Sequence, residues 1–346
     1  MRKHQLQKVI SSGYAELIDR DSVEKLKFWR GFLKSNKKRI NVLEVGIGGG
    51  GTLRGIKRLC NNGEVLYAID IEKKFVHIGK NIINNNSILA NVCKLPFRNN
   101  FFQAINLSSV LHEVSSYGYM DKGKHVVGLK AVKIALSEVK RVLEENGLLY
   151  YRDILAPQKR THKSVRYDSV SIKFFIDLFL DKFANTKPFF YRKKYKLKKE
   201  NNSYIIYAEN FLHREIQKHY LLCLENLSTY FINAANGKVN YKKTEKGFII
   251  LEKIFSKLVL EKNKELRRKA QQWLGREGGE KYLYFTGNEL IKFGKINKDK
   301  KGYILAPVGQ TREIRFINKK NLFIKKLIAN AEEGGKQEIF FTKIKI

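Results

Sequence analysis

Three kinds of residue in the first half of this chain could do chemistry. Gly46, Gly48, Gly50 and Gly51 form a glycine turn directly after the run Asn41 to Val45, and Thr52 then opens a helical pattern with Leu53, Ile56 and Leu59 on one face. A strand, a glycine turn and a helix start bring backbone N–H groups up to a nucleotide-like ligand, where a Cβ would block both the tight turn and the approach. Asp70 closes a second apolar run, Glu64 to Asp70, at about the ~20-residue distance from the turn where a carboxylate can accept hydrogen bonds from ribose hydroxyls. His112, followed by Glu113, and Asp153, at the end of GLLYYRD, could handle protons. Each of these two also has a plain alternative: His112 as a packing residue after a strand, Asp153 as a structural strand-end carboxylate.

The glycines support two registers. Gly46, Gly48 and Gly51 satisfy the G-x-G-x-x-G pattern of dinucleotide binding, while Glu44, Gly46, Gly48 and Gly50 satisfy E-x-G-x-G-x-G. The elements that must carry these residues alternate in type. Strands are expected at Asn41 to Val45, Glu64 to Asp70, around Ile88 to Cys93, at the run INLSSVLHEV and at GLLYYRD. Helical stretches stand between them, the longest from about Lys122 to Glu145 with Val126, Leu129, Val132, Leu136 and Val139 inward. Such alternation predicts parallel strands with helices on both faces, and a ligand at the strands' C-terminal ends. There the glycine turn, Asp70, Cys93 and the stretch Ser108 to His112 converge.

The segment ANVCKLPFRNNFFQAINLSSVLHEV favours the second register. Its Leu95-Pro96-Phe97 triplet, the following Phe101-Phe102-Gln103-Ala104 and the run to Val114 resemble the third and fourth motifs of class I S-adenosylmethionine-dependent methyltransferases, whose first motif is E-x-G-x-G-x-G. The resemblance implies S-adenosylmethionine as cofactor, with Glu44, Gly46, Gly48, Gly50 and Asp70 in its binding. It places Cys93 and Lys94 beside the adenine, and Ser108, Ser109 and His112 near the methyl group. The family usually carries an acidic and a small residue where this chain is read to have Cys93 and Lys94. In methyl transfer His112 becomes the candidate general base and Asp153 a second pocket residue. No D/N-P-P-Y/F follows the fourth strand and no Pro-Cys pair occurs, which argues against amino-group methylation of adenine and covalent methylation of cytosine C5.

Composition bears on the acceptor. The 346 residues hold 68 Lys and Arg against 33 Asp and Glu, a formal charge of +35. Such a balance suits a polyanionic partner or an anionic membrane surface, and also arises from Lys- and Asn-rich codon usage. Three isolated cysteines, Cys60, Cys93 and Cys223, form no C-x-x-C pair, so neither a disulfide framework nor a metal site is expected. MRKHQLQKVI contains no signal-peptide core, and no run nears the ~20 apolar residues of a membrane span, so a cytoplasmic location is expected.

The fold expected is α/β: a Rossmann-like seven-stranded, mostly parallel sheet with helices on both faces, plus a mainly helical insertion. Residues 1–40 form a basic N-terminal helical segment across the domain's edge. Residues 41–155 and 281–346 form the methyltransferase domain, with TGNELIKFGKIN as its last helix, capped by Thr286 or Asn288, and EIRFI and QEIFFTKIKI as its last strands. Residues 156–280 form the helical, basic insertion on the substrate side, carrying 27 Lys or Arg and 13 Asp or Glu. Within it, YRKKYKLKK offers Arg192, Lys193, Lys194, Lys196, Lys198 and Lys199 with two tyrosines interleaved, a composition suited to RNA. The acceptor is therefore RNA or, alternatively, a small molecule under a helical lid; a third reading is a cofactor-binding scaffold without catalysis.

Overall fold

The computed structural model describes residues 26, 28–34, 36, 39–61, 63–156, 161–185, 195–200, 203–210, 212–217, 219–220, 223–224, 227, 245–261, 263–277, 285–296, 302–310 and 335–345. The chain divides into two compact units, one of residues 15–158 and 281–346, the other of 1–14 and 159–280.

The first unit is built on a seven-stranded sheet. In chain order its elements are β1 (Asn41–Val45), α1 (Gly51–Leu59), β2 (Val65–Asp70), α2 (Lys73–Ile83), β3 (Ser87–Leu89), β4 (Phe102–Ser108), α3 (Leu111–Tyr117), the hairpin β5 (Tyr119–Asp121) and β6 (Lys124–Val126), α4 (Leu129–Val142) and β7 (Leu143–Leu155). After the second unit come α8 (Gly287–Ile296), β11 (Tyr303–Gln310) and β12 (Gly335–Lys345). The spatial order is β11-β12-β7-β4-β1-β2-β3. β3, β2, β1, β4 and β7 pair in parallel, whereas β12 runs antiparallel to both β7 and β11. Five strands therefore end on one side, where the connections to their helices begin.

Alternation along β1 shows why both faces are covered. Leu43 and Val45 enter a core with Ile105, Leu107, Val132, Leu136 and Val139, while Val42 joins Trp29, Leu33, Leu53, Ile56, Tyr150 and Phe340 on the other side. A sheet apolar on both faces must be sandwiched by helices, and α4 and α1 supply that cover. Trp29 and Leu33, in the helical stretch 28–34, are 0% and 1% exposed. The N-terminal segment thus packs onto a face of the sheet where its edge was expected.

Two elements differ from the sequence reading for identifiable reasons. The long helix begins at Leu129, because Gly118, Gly123 and Gly128 take positive φ and fold residues 119–126 into a hairpin. At the far end, the penultimate strand is Tyr303–Gln310, while EIRFI lies outside the described residues. The cap of α8 is as expected: Thr286 Oγ1 accepts the Glu289 N–H at 3.1 Å, and the Glu289 carboxylate takes the Thr286 N–H at 2.8 Å.

The second unit holds α5 (Val170–Asn185), α6 (Glu245–Leu260) and α7 (Lys264–Glu277), together with β8 (His162–Tyr167), β9 (Tyr195–Glu200) and β10 (Ser203–Glu209). The helices match the expected helical character. The three strands form an antiparallel sheet in the order β8-β10-β9, which the sequence reading did not include.

Candidate active site at the strand tips

β1 stops at Val45 because the next residues cannot stay extended. Gly46, Gly48 and Gly50 have φ of 82°, 51° and 79°, the left-handed region that disfavours any Cβ. Gly51 is the first residue of α1 and needs no such freedom. The three left-handed glycines are those of E-x-G-x-G-x-G. A Cβ on Gly46 would lie 2.6 Å from Val110, and one on Gly50 2.8 Å from Ile82; one on Gly48 would meet nothing within 4 Å. Gly48 thus borders open space, the place for a ligand that must approach the backbone.

Asp70, at the tip of β2, holds this loop. Its Oδ2 accepts the N–H groups of Ile47 at 2.9 Å and Gly48 at 3.3 Å, and its Oδ1 accepts the Glu72 N–H at 2.9 Å. Burial lifts its pKa from 3.8 to about 6; the amide bonds oppose that rise and the Glu113 charge adds to it. A carboxylate has about four lone-pair positions, so one on Oδ1 is left after these three bonds.

Glu44, expected among the cofactor-binding residues, is the fourth residue of β1. Its side chain is 4% exposed and sits within the sheet, where Asn106 on β4 donates to Glu44 Oε2 at 2.6 Å. Trp29 Nε1–H in turn donates to Asn106 Oδ1 at 3.3 Å. Glu44 therefore acts from beneath the glycine turn, by bracing β1 against β4 and the N-terminal segment.

Cys93 also differs. Its thiol is buried against the Ala131 carbonyl on α4 at 3.6 Å, and burial, with Glu138 nearby, pushes the thiol up to about 12. The side chain belongs to the core. Lys94 is exposed, with its N–H on the Asn91 carbonyl at 2.9 Å. Asn91, just beyond β3 and four residues before the Leu95-Pro96-Phe97 triplet, accepts the Cys93 N–H on its Oδ1 at 2.8 Å. That triplet is stapled to α4: Leu95 N–H reaches Glu138, and Arg141 binds the Leu95 and Phe97 carbonyls at 2.9 and 2.7 Å.

Ser108, the last residue of β4, is 6% exposed, and its Oγ has no hydrogen-bond partner among the described residues. A buried hydroxyl without a partner is costly, so this one marks a place where a ligand group can sit. Ser109 follows with φ 58° and donates its N–H to the Arg152 carbonyl at 2.7 Å, which locks the tip of β4 to β7.

That lock brings together the two proton-handling candidates. His112 Nδ1 lies 2.9 Å from Asp153 Oδ1, and the His112 backbone N–H donates to Asp153 Oδ2 at 3.2 Å. Both residues are buried, at 6% and 2% exposure. β4 and β7 are parallel neighbours with Ser108 opposite Arg152, so Asp153, next along β7, meets His112 in the first turn of α3, four residues past the end of β4. A neutral imidazole that donates from Nδ1 carries its basic lone pair on Nε2.

The glycine turn, Asp70, Asn91, Ser108 and the His112–Asp153 pair thus stand at the C-terminal ends of β1, β2, β3, β4 and β7. An open space before Gly48, a remaining acceptor position on Asp70 and the unpartnered Ser108 hydroxyl fit a nucleoside-bearing cofactor. Among the described residues no group of three or more His, Cys, Asp or Glu could hold a metal ion. Of the basic segment expected to face RNA, Lys196, Lys198 and Lys199 lie on β9, while Arg192, Lys193 and Lys194 fall outside the described residues. No helix among the described residues is long and apolar enough to cross a membrane.

A family model described as a methyltransferase domain matches residues 43–151. No curated protein matches the chain. Among solved structures, the chain is similar to the cyclase SpnF at 17% identity, over 41% of this chain and 46% of that one, with a TM-score of 0.30. It is similar to a SAM-dependent methyltransferase from Aquifex aeolicus at 20% identity, over 55% and 89%, with a TM-score of 0.29. The YcgJ protein from Bacillus subtilis is 15% identical over 54% and 95%, with a TM-score of 0.32. The chain spans less than half the length of SpnF, and likenesses at such scores carry no weight here. The domain match covers the five parallel strands from β1 to β7, and the sheet is completed by the antiparallel β12 and β11. On that match, residues 43–151 form a methyltransferase domain within a seven-stranded, mostly parallel sheet.

Proposed function

We propose that this methyltransferase acts on an acceptor atom that must lose a proton, that the His112–Asp153 pair takes that proton, and that the acceptor belongs to RNA. When bound, S-adenosylmethionine supplies an electrophilic methyl group on a sulfonium centre. The loop from Gly46 to Gly50 admits the cofactor to the backbone, and the remaining lone pair of Asp70 is suited to a ribose hydroxyl. Ser108 and Asn91 stand at or just past the same ends of their strands. Asp153 holds His112 by ring and backbone together, which fixes the tautomer and orients Nε2 before any substrate arrives. His112 Nε2 would take the acceptor's proton, which leaves that atom's electron pair available as the nucleophile and a positive charge on the imidazolium beside Asp153.

The observation that carries this reading is the 2.9 Å contact between two buried polar side chains from adjacent strand tips. Burying an imidazole and a carboxylate costs free energy that a packing role does not require. The RNA part is supported by the net charge of +35 and by the cations of β9. A small-molecule acceptor is the second reading. It is favoured by the spread of the charge, since residues 156–280 carry only +14 of it.

Methyl-labelled cofactor, incubated with the full chain and either total RNA or a metabolite extract, tests both parts. Label in RNA that His112→Ala reduces by about 10²–10⁴-fold is the expected result. Label confined to small molecules would replace the RNA reading with the second one. Undiminished transfer by His112→Ala would remove the general-base role.

A further inference from the structure

The antiparallel sheet of the second unit has one covered and one open face. On the covered side Tyr204 is buried with its hydroxyl on Asp177 of α5 at 2.6 Å, and Ile206 and Ala208 are fully buried. The opposite face follows from the register. Tyr207 pairs with Lys196 on β9 and Ser164 on β8, Ile205 pairs with Lys198 and Arg166, and Glu209 pairs with His162. Directly paired residues share a face, so Lys196, Lys198, Arg166, Ser164, His162 and Tyr207 stand together.

We propose that this open face, formed by Tyr207 and His162 with Lys196, Lys198 and Arg166, binds single-stranded nucleic acid by base stacking and phosphate contact. The proposal deepens the RNA reading above and rests on it for the identity of the acceptor. Tyr207 is 42% exposed at the middle strand of the sheet, where a large ring has no core to enter. The His162 ring stacks on it, with centroids 5.6 Å apart and planes at 27°. Two nearly parallel rings at the surface form a platform that a third planar group can extend, and every unpaired base presents such a plane.

The cations stand beside this platform. Lys196 lies directly across from Tyr207, and Lys198 is one same-face step along β9. Arg166 and Lys198 both bind Glu200, at 2.8 and 3.1 Å, so one carboxylate spaces two cations without matching their charge. Glu209, 4.0 Å from His162, is the other acid on this face. A polyanion is the partner whose charge complements three cations flanking an aromatic stack, and base pairing would hide the planes that the stack offers. A single strand satisfies both demands.

The test uses the full chain, fluorescently labelled single-stranded uridine and adenosine oligonucleotides, a duplex of equal length and vesicles containing phosphatidylserine. The wild-type chain should bind the single strands, with affinity falling steeply as salt rises. Tyr207→Ala should weaken binding by about ten-fold, whereas Tyr207→Phe keeps the ring and the affinity. Joint Lys196→Gln and Lys198→Gln should flatten the slope of log affinity against log salt by about 1.4. S-adenosylmethionine affinity should be the same in all of these variants, which shows that the chain is folded. Equal binding by Tyr207→Ala and wild type, tighter binding of the duplex, or capture by vesicles alone would each overturn the proposal. Methylated RNA together with a neutral Tyr207→Ala would remove this surface and leave the RNA reading standing. Oligonucleotide binding through Tyr207 with no methyl reaching RNA would do the reverse.

Discussion

Asp153 grips His112 twice, with Oδ1 at 2.9 Å from the ring Nδ1 and Oδ2 at 3.2 Å from the backbone N–H. A third bond, from the Ile154 N–H to Oδ1 at 2.9 Å, ties the carboxylate to its own strand. The imidazole therefore has its orientation set from β7 although it belongs to α3. Asp153→Asn should lower kcat by about 10²–10⁴-fold with little change in KM, because the amide cannot hold the same tautomer. Single-turnover assays of the wild type, Asp153→Asn and His112→Ala give the check, with both variants slowed to a similar degree.

Asp70 gives a pH dependence of opposite sign for folding and for cofactor. Burial lifts its carboxyl from 3.8 to about 6, so between those values the folded chain holds a proton that the unfolded chain has released. The stability it contributes is full below 3.8 and is lost as pH rises through about 6. The proposed ribose contact needs the ionised oxygen. Affinity for S-adenosylmethionine should therefore weaken about ten-fold per pH unit below about 6. Calorimetry across this range should show that slope in the wild type, and weak, pH-independent binding in Asp70→Asn.

The glycine turn separates stability from binding. Gly46→Ala combines a left-handed backbone with a Cβ 2.6 Å from Val110, whereas Gly48→Ala meets nothing within 4 Å. The left-handed position alone costs about 1–2 kcal/mol for an alanine. Gly48→Ala should lose about that much stability yet bind S-adenosylmethionine far more weakly, since its methyl occupies the ligand's space. Gly46→Ala should show the larger fall in melting temperature. Equal melting temperatures for the two variants would contradict the contacts described.

Asn106 links Trp29 to Glu44 inside the sheet. Asn106→Leu withdraws a donor from a buried carboxylate and an acceptor from a buried indole, and should destabilise the unit by about 2–4 kcal/mol. Urea unfolding measures the loss. Trp29 fluorescence should report the same transition, because its ring is buried against Phe28 and Tyr150.

Much of the catalytic domain was legible in the residues because local and long-range signals agreed. Val42 to Val45 reads as a buried strand, the glycines can only be a turn, and α4 carries an unbroken apolar stripe. Asp70 was placed at its strand tip, but its bonds to the Ile47 and Gly48 amides depend on how β1 and β2 sit side by side. Contacts across strands were hidden for the same reason. His112 and Asp153 are 41 residues apart, and nothing local to either shows that their strands are neighbours. Glu44 was read as a ligand contact because its place in the motif says nothing of which way a strand residue points. The sheet of the second unit escaped notice because its strands are only six or seven residues long and β8 and β9 are polar at most positions.

Transfer of labelled methyl groups to RNA by the wild-type chain and by His112→Ala tests the central claim most directly. Label in RNA, at a rate that His112→Ala lowers by about 10²–10⁴-fold, is the predicted result. Unchanged transfer by His112→Ala would contradict it.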